Sequence, residues 1–356
     1  MEYVIVIIYG VALLLITLYS LGQLHLTWHY VQSKKKRPAH HDVVTDGVDE
    51  KPYVTIQLPI YNERYVVQRL LAAAIAIQHP KELLEIQVLD DSTDETSGII
   101  AEEIENYRKQ GINIQHIQRP NRVAFKAGAL QYGLERCQGE FIAIFDADFL
   151  PTPDFLERTL PLFANKEIGM VQTKWGHVNE NYSLLTRLQA FGLDAHFSIE
   201  QVGRNSADSF INFNGTGGVW RKTTIEQAGG WSADTLTEDL DLSYRAQMAG
   251  WKFGYMEDVV SPAELPIIMS AIKSQQYRWN KGAAETAQKH LRNLLSSGVS
   301  LKQKLHGMMH LLNSSIFILV FLSAILSVPV LFIKDQSPEL KLVFQIGTGF
   351  IVGFIA

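Results

Sequence analysis

Residues 142–151 read IAIFDADFLP, an apolar run that ends in two aspartates separated by one alanine. Alternate residues of an extended chain point to the same side, so the carboxylates of Asp146 and Asp148 converge just beyond a buried strand. Hard carboxylate oxygens suit Mg²⁺ or Mn²⁺, which keep their remaining positions for water and substrate phosphates. The alternative, two acids in an ordinary turn, is weaker because an apolar strand delivers them as a pair.

This stretch is one of several strand-like runs that alternate with helical runs. Four of them, YVTIQLPI, LEIQVL, INIQHI and EFIAIF, are each followed by a segment of helical character. The alternation predicts right-handed βαβ units, a mainly parallel sheet and an α/β fold. Ligands of such sheets bind outside the carboxyl ends of the strands. We therefore expect the two aspartates at the ligand-binding edge.

The composition limits the class of protein. The chain has 356 residues, 47% hydrophobic content and a formal net charge of −5, which fits one or two domains with membrane segments and disfavours a nucleic-acid partner. Its one cysteine, Cys137, excludes an internal disulfide, so a reducing compartment is acceptable.

Two apolar runs indicate a lipid bilayer. Residues 3–24 carry no charge and are long enough to cross it, which predicts a transmembrane helix over residues 1–27. A cleaved signal peptide is the competing interpretation, but the start is not basic and the run has no clear cleavage site. A second span is predicted over residues 311–333, and residues 342–356, still apolar at the end, indicate the start of a further span.

The segments between the spans differ in character. Residues 28–52 are predicted to be a basic linker, and residues 53–262 contain the α/β domain. Residues 263–310 show the amphipathic pattern of helices that lie at a membrane surface. The basic cluster at residues 34–37 predicts that the linker and the domain are cytoplasmic.

Two further acidic motifs are candidates for chemistry. Asp90 and Asp91 end the run LEIQVL, where a turn or a helix cap is the alternative role. Glu238 and Asp239 open a helix in TEDLDL, where a capping box with Thr235 is the alternative and a carboxylate that accepts a proton is the functional one.

Cationic and aromatic residues complete the candidate set. Lys126 opens a helix in AFKAGALQYG, where a phosphate would find a positive charge and free N–H groups. Gln275, Arg278 and Trp279, in QQYRWNKG, are spaced to project from one helical face. An anchor in the lipid headgroups would explain Arg278 and Trp279, but not the glutamine.

The four motifs together resemble a known family. DD at 90–91, DAD at 146–148, TED at 237–239 and QQYRW at 275–279, in this order between membrane spans, are similar to the membrane-bound family 2 glycosyltransferases of the cellulose synthase superfamily. The similarity extends over about residues 50–290. The strings FNGTGGVWR, EDLDLSYRAQMAGWKF and QQYRWNKG look most like those of the cellulose synthase-like mannan and glucan synthases.

The resemblance implies a GT-A fold, a nucleotide-diphosphate sugar such as UDP-glucose or GDP-mannose, a divalent metal, inversion at the anomeric carbon, and a β-linked polysaccharide acceptor. It also implies roles for the candidate residues. Asp90 or Asp91 would contact the nucleotide, Lys126 would hold the nucleobase or the phosphates, and Asp146 and Asp148 would bind the metal. Asp239 would be the general base, with Glu238 as the next candidate, and Gln275, Arg278 and Trp279 would bind the diphosphate and the acceptor sugar.

The expected function is a processive, inverting β-glycosyltransferase that makes a mannan-like or glucan-like polymer at the inner face of a membrane. Single transfer to a lipid is the enzymatic alternative, because lipid-linked glycosyltransferases share much of this motif set. A non-catalytic scaffold of a secretion complex is the third interpretation. It is disfavoured because every acid that the chemistry needs is present.

Overall fold

The computed structural model describes residues 2–36, 51–336 and 345. Its strands are β1 Val54–Ile60, β2 Leu84–Asp90, β3 Ile114–Gln118, β4 Phe141–Ile144, β5 Ile168–His177, β6 Gly218–Arg221 and β7 Lys252–Ala263. Its α-helices are α1 Glu2–Lys36, α2 Val67–Ile75, α3 Thr96–Lys109, α4 Phe125–Leu134, α5 Phe155–Thr159, α6 Leu184–Asp194, α7 Val202–Ser206, α8 Lys222–Gln227, α9 Glu238–Met248, α10 Met269–Ser296, α11 Leu301–Leu311 and α12 Ser315–Gln336.

The strands form one mixed sheet in the order β3-β2-β1-β4-β6-β5-β7. The first four strands pair in parallel, as do β5 and β7, whereas β6 runs antiparallel to both of its neighbours. The expected α/β fold with a mainly parallel sheet is confirmed. The sequence analysis did not identify β5, β6 or β7 as strands, and β6 has only four residues, GVWR, too few to show a period.

The centre of the sheet is covered on both faces. β1, β2 and β4 are almost wholly buried; β4, FIAI, is a continuous apolar run, whereas β1 and β2 alternate apolar residues with buried polar ones. Polar side chains inside this layer are paired: Gln57 donates to Gln87 at 3.0 Å, and Thr55 donates to Glu85 at 2.8 Å. A rigid layer of this kind fixes where the strand ends lie, and therefore where the residues that follow them are presented.

Among the described residues, two helices, α1 and α12, have the length and apolar composition needed to cross a membrane. α1 continues to Lys36, past residue 27 where the sequence analysis ended the span, because the polar residues that follow include good helix formers. α12 begins at Ser315 and packs beside α1, where Tyr19 donates to Asn313 at 2.6 Å. The expected further span at residues 342–356 lies outside the described residues except for residue 345.

The amphipathic region forms α10 and α11, which join the α/β domain to α12. A small apolar cluster, which includes Leu240, Tyr244, Leu294 and Leu311, packs α9 against both helices. The start of the amphipathic region, predicted at residue 263, is still strand, because β7 extends to that residue and α10 begins only at Met269.

A buried acid joins α9 to α10. The side chain of Asp241 is fully buried and accepts hydrogen bonds from His290 at 2.7 Å and from Arg245 at 2.7 Å, and Lys289 lies 2.7 Å away. Burial acts to raise the pKa of Asp241, but the bonds from His290 and Lys289 and the charge of Arg245 hold that pKa below its ordinary range. The carboxylate is thus the charged centre of the contact between the two helices.

We expect Asp241→Asn to weaken this contact, because it removes a buried charge from three basic partners. The free energy of unfolding should fall by about 3 kcal/mol, which corresponds to a decrease of about 6–12 °C in the Tm of the domain. The Tm is measured by thermal unfolding in detergent. Because the folded-state pKa is depressed, the stabilisation is present above the unfolded-state pKa of about 4 and is lost as pH falls through the folded-state value.

The matched control is Asp234→Asn, which removes an exposed acid that also pairs with Lys289, at 3.1 Å. We expect its Tm to stay within about 2 °C of the wild-type value, since exposed ion pairs contribute little. Equal Tm values for the two variants would show that Asp241 does not hold α9 to α10.

Candidate active site

The ends of β4 and of the loop before β6 meet at the carboxyl edge of the sheet. Asp146 and Asp148 follow β4 directly, and the backbone N–H of Asp146 donates to Thr216 Oγ1 at 2.9 Å. The N–H of Gly217 donates to the carbonyl of Ile144 at 2.9 Å. Two backbone contacts therefore hold the glycine-rich loop of residues 213–218 against the strand that carries the acids.

The ammonium group of Lys126 lies at the centre of this edge. Its Nζ is 2.5 Å from Asp146 Oδ1 and 4.0 Å from Glu238 Oε1, and it donates to the carbonyl of Gly215 at 3.0 Å. Burial acts to lower the pKa of Lys126, but the charges of Asp146 and Glu238 outweigh burial and raise that pKa. Lys126 therefore stays charged, and it brings α4, β4 and α9 together.

The backbone before Lys126 is strained. Ala124 and Phe125 have φ values of 62° and 47°, in the left-handed region that side chains other than glycine rarely adopt. Arg119 braces this turn by donating to the carbonyls of Val123 and Phe125, at 2.8 and 3.0 Å. The turn directs the first residues of α4, including Lys126, toward the acids.

Glu238 and Asp239 are the first residues of α9 and lie within the same cluster. Burial and the charge of Glu238 raise the pKa of Asp239 to about 7, and burial also raises the pKa of Glu238. The alternative role, a capping box of Thr235 with Glu238, is absent from this described part of the chain. Thr237, the residue before α9, makes no side-chain cap, and the hydroxyl of Thr235 instead donates to the carbonyl of Thr237 at 3.2 Å. Asp239 does accept a hydrogen bond from the N–H of Leu240 in the first turn of α9, at 2.8 Å, so only the capping box with Thr235 is ruled out.

Gly215 makes the close approach between the loop and α9 possible. Its φ is +82°, and a Cβ atom there would lie 3.1 Å from Asp239 Oδ2 and 3.4 Å from Lys126 Nζ. A side chain at this position would be strained and would also intrude between the base candidate and the lysine. The glycine thus leaves open the space in which these two groups face each other.

The two earlier aspartates are already engaged. Asp90 accepts hydrogen bonds from the N–H of Ser92 at 2.9 Å, from His116 at 2.8 Å and from the Ser97 hydroxyl. Asp91 pairs with Arg119 through two hydrogen bonds. Asp90 is buried and organises the turn after β2, and the Asp91 side chain is only 7% exposed, so nucleotide contact by either residue stays a prediction.

The three residues of the QQYRW motif lie on the first half of α10, as the spacing predicted. Arg278 is exposed, whereas Gln275 and Trp279 are half-buried, and the Trp279 ring lies 6.5 Å from that of Trp175. One turn later, Gly282 packs against residue 237, where a Cβ atom would lie 2.6 Å from Thr237 Cγ2. α10 therefore lies directly against the residue before Glu238.

The residues after β4 fit a divalent cation that the substrate helps to hold. Burial and the charge of Asp146 raise the pKa of Asp148 to about 7, and a cation bound beside Asp148 would favour its charged form. Within residues 2–36 and 51–336, no three acidic, histidine or cysteine side chains converge as a complete metal site. Two carboxylates plus phosphate and water oxygens are a sufficient set for Mg²⁺ or Mn²⁺.

The sequence analysis missed several residues of this region. Glu63 follows β1. Burial raises the pKa of the Glu63 carboxyl group, and the nearby charge of Asp146 raises it further. Tyr61, which was also missed, stacks against Arg122, whose guanidinium carbon lies 3.3 Å from the ring centre. Trp175 and Gly282 complete the set. An acid and an aromatic residue directly after a predicted strand were a signal for Glu63 and Tyr61, whereas Trp175 and Gly282 gave none.

Solved structures and curated proteins that are similar to this chain are known. The chain is similar over 98% of its length, with a TM-score of 0.70 and 19% identity, to 97% of a mannosyltransferase from Pyrobaculum calidifontis solved in complex with GDP-Man and Mn²⁺. This similarity confirms the expected GT-A fold. Glucomannan 4-beta-mannosyltransferase 7 of Arabidopsis thaliana is 40% identical over 87% of this chain and 59% of its own length.

A second relative, a probable glucomannan 4-beta-mannosyltransferase 4 of Oryza sativa subsp. japonica, is 44% identical over 73% of this chain and 51% of its own length. The chain thus spans about half to three fifths of the curated relatives it matches. The family model described as glycosyltransferase like family 2 matches residues 52–292, which include all four acidic and aromatic motifs. This chain therefore belongs to the glycosyltransferase like family 2.

Proposed function

We propose that the protein transfers mannose from GDP-mannose to the end of a growing β-linked polysaccharide, processively and with inversion at the anomeric carbon. The names of the curated relatives and the GDP-Man in the Pyrobaculum calidifontis structure favour this donor over UDP-glucose. The sequence analysis had left the two donors open. A mannan-like or glucomannan-like product follows from the same relatives.

The arrangement of Asp239, Lys126 and Asp146 is the observation that carries the proposal. A carboxylate with a raised pKa lies beside a charged lysine, and that lysine contacts the acid after β4. A base and a phosphate-binding group are both needed to replace a diphosphate by a hydroxyl group. The structure brings these two kinds of group together from positions more than one hundred residues apart.

In the proposed reaction a hydroxyl oxygen of the acceptor sugar attacks the anomeric carbon while the bond from that carbon to the diphosphate oxygen breaks. Asp239 accepts the hydroxyl proton. The departing GDP keeps the electron pair of the broken bond, and Lys126 and the N–H groups that open α4 are placed to stabilise its negative charge. Attack opposite the leaving group inverts the anomeric centre.

A divalent cation held by Asp146 and Asp148 would neutralise part of the diphosphate charge. The carboxylates would orient that side of the donor, and Lys126, whose Nζ is 2.5 Å from Asp146 Oδ1, would be available to the same phosphates. Arg278, exposed on α10, is suited to pair with the diphosphate by charge-assisted hydrogen bonds. Trp279 offers a flat apolar face to the acceptor sugar.

The proposed location is the cytoplasmic face of a membrane. α1 and α12 fit membrane helices, and the basic cluster at residues 34–37 follows the apolar part of α1. Lys34 pairs with Glu257 of β7 at 2.7 Å, which ties the basic end of α1 to the catalytic domain. Polymer made at this site would leave the enzyme next to the bilayer.

The donor and the product are tested together. The full chain in lipid nanodiscs is incubated with GDP-mannose or UDP-glucose, and nucleotide release and products are measured. We expect GDP release to exceed UDP release and the product to be an alkali-stable polymer. A product restricted to glycolipid would instead support single transfer, and no release from either donor would contradict the enzymatic proposal.

We expect Asp239→Asn to lower turnover by at least about 10², because the amide keeps the size of the side chain but cannot accept the proton. GDP-mannose affinity and Tm should remain close to wild type. In the wild-type enzyme, kcat/KM should decrease as pH falls below about 7, since the carboxylate is then protonated. The matched control is Asp234→Asn, which should keep wild-type turnover. Full turnover in Asp239→Asn would exclude Asp239 as the general base and make Glu238 the next candidate.

The metal assignment has its own readout. We expect Asp148→Asn to weaken Mn²⁺ binding, measured by calorimetry in the presence of GDP, by at least about tenfold, because it removes a charge from the ion's direct ligands. The control is Asp154→Asn. It removes an acid further along the chain that accepts a hydrogen bond from the hydroxyl of Thr152. An unchanged Mn²⁺ titration for Asp148→Asn would contradict the assignment.

A further inference from the structure

Trp175 lies between the candidate metal site and α10, and the proposed reaction gives it no role. It is the third residue from the end of β5. The centre of its ring lies 5.2 Å from that of Phe149, 5.0 Å from that of Phe197 and 6.5 Å from that of Trp279. Phe149 follows Asp148 directly, and Trp279 belongs to the QQYRW motif. The ring therefore joins the strand end of the candidate metal site to the helix of the proposed acceptor site.

Trp175 is also bound to the glycine-rich loop. Its indole N–H donates to the carbonyl of Thr216 at 3.4 Å, and the hydroxyl of the same Thr216 accepts from the N–H of Asp146 at 2.9 Å. One residue thus separates the tryptophan from the backbone of the metal-binding acid. This contact fixes the indole plane relative to the place where the reaction occurs.

The two tryptophan rings form a corner. Their planes are inclined by 56°, so neither ring covers the face of the other. Both residues are half-buried, in contrast to Trp220 and Trp231, which are buried in the core of the same domain. Trp175 packs against the core of the domain, as Trp251 also does, and its partial exposure leaves part of the ring uncovered.

Polar groups lie beside this corner. Lys174 pairs with Asp194 at 3.1 Å and lies 3.2 Å from the Ser198 hydroxyl, and His177 lies 3.5 Å from Asp194. Asp194 ends α6, and Ser198 belongs to a π-helix, Ala195–Gln201, a form of helix that is frequent at functional sites. The side chain of Asp194 is 44% exposed, so its carboxylate is available to a hydroxyl group.

We infer that the acceptor site extends from Trp279 to a second sugar-binding position built on Trp175, with Lys174 and Asp194 available to the hydroxyl groups of that sugar. The ligand is a β-linked disaccharide unit at the end of the polymer. The inference rests on the proposed function, because it assumes a carbohydrate acceptor. It adds a binding position that a single tryptophan on α10 does not provide.

Each pyranose ring of a β-linked chain has a flat apolar face of C–H groups, which a partly exposed indole ring can cover. The centres of the Trp175 and Trp279 rings are 6.5 Å apart, a spacing comparable to one sugar unit. The two rings can therefore each contact one of two consecutive sugars.

The test measures direct binding of mannose, mannobiose and mannotetraose to the full chain in nanodiscs by calorimetry, in the presence of GDP. We expect mannobiose to bind at least about threefold more tightly than mannose. Trp175→Leu should lose about three- to tenfold in affinity for mannobiose, while Trp175→Phe, which keeps an aromatic face, should lose less.

Trp251→Leu is the matched control. Trp251 is another half-buried tryptophan of the domain, packed against the core, and its indole donates to Gln227 at 3.1 Å. We expect unchanged mannobiose affinity in this variant. GDP-mannose affinity, measured for every variant, should be the same as in the wild type, which separates loss of a sugar contact from general disturbance of the site.

Equal binding of mannose and mannobiose, or unchanged mannobiose affinity in Trp175→Leu, would overturn the inference. A parallel loss of GDP-mannose affinity in that variant would also overturn it, because Trp175 would then act through the fold. These outcomes differ from failure of the proposed function, which would appear as absence of GDP release from GDP-mannose by the wild-type protein.

Discussion

The contact of the Lys126 ammonium group with acids from separate parts of the chain is the interaction on which the site depends. Asp146 follows β4 and Glu238 opens α9, and without a positive charge between them the two carboxylates would repel each other. The same lysine bonds to Gly215, so the glycine-rich loop is fixed by it as well. The strained turn before α4 is tolerated because it delivers this charge.

A second constraint sets the distance between the proposed base and the proposed acceptor site. α9 carries Asp239 and α10 carries Trp279, and the two helices are held together by the buried carboxylate of Asp241 and by the close packing at Gly282. Helices joined by a buried charge and a glycine contact cannot slide without losing one or the other. Because α10 leads through α11 to α12, the acceptor side of the site has a fixed relation to the proposed membrane segment.

Much of the fold was predictable because its signals are local. The apolar runs of β1, β2 and β4 and the helices after them have clear periods, so the α/β class followed from sequence. The later strands were missed because β6 is short and because polar residues interrupt the apolar pattern of β5 and β7. The capping box at Thr235 was wrong for a related reason: its spacing is correct, but the chain before α9 turns so that Thr235 bonds to Thr237.

The sequence by itself determined the chemistry available: paired aspartates after an apolar strand, acids at a helix start, a lysine at another, and an amide, guanidinium and indole on one helical face. Spacing of two or four residues is enough for that, since strand and helix geometry fix which side chains point together. Only the tertiary structure decided which groups meet. The contacts of Lys126 with Asp146, Gly282 with Thr237, and Trp175 with Trp279 join positions far apart in the chain, and their closeness depends on sheet order and helix packing, which no local pattern encodes.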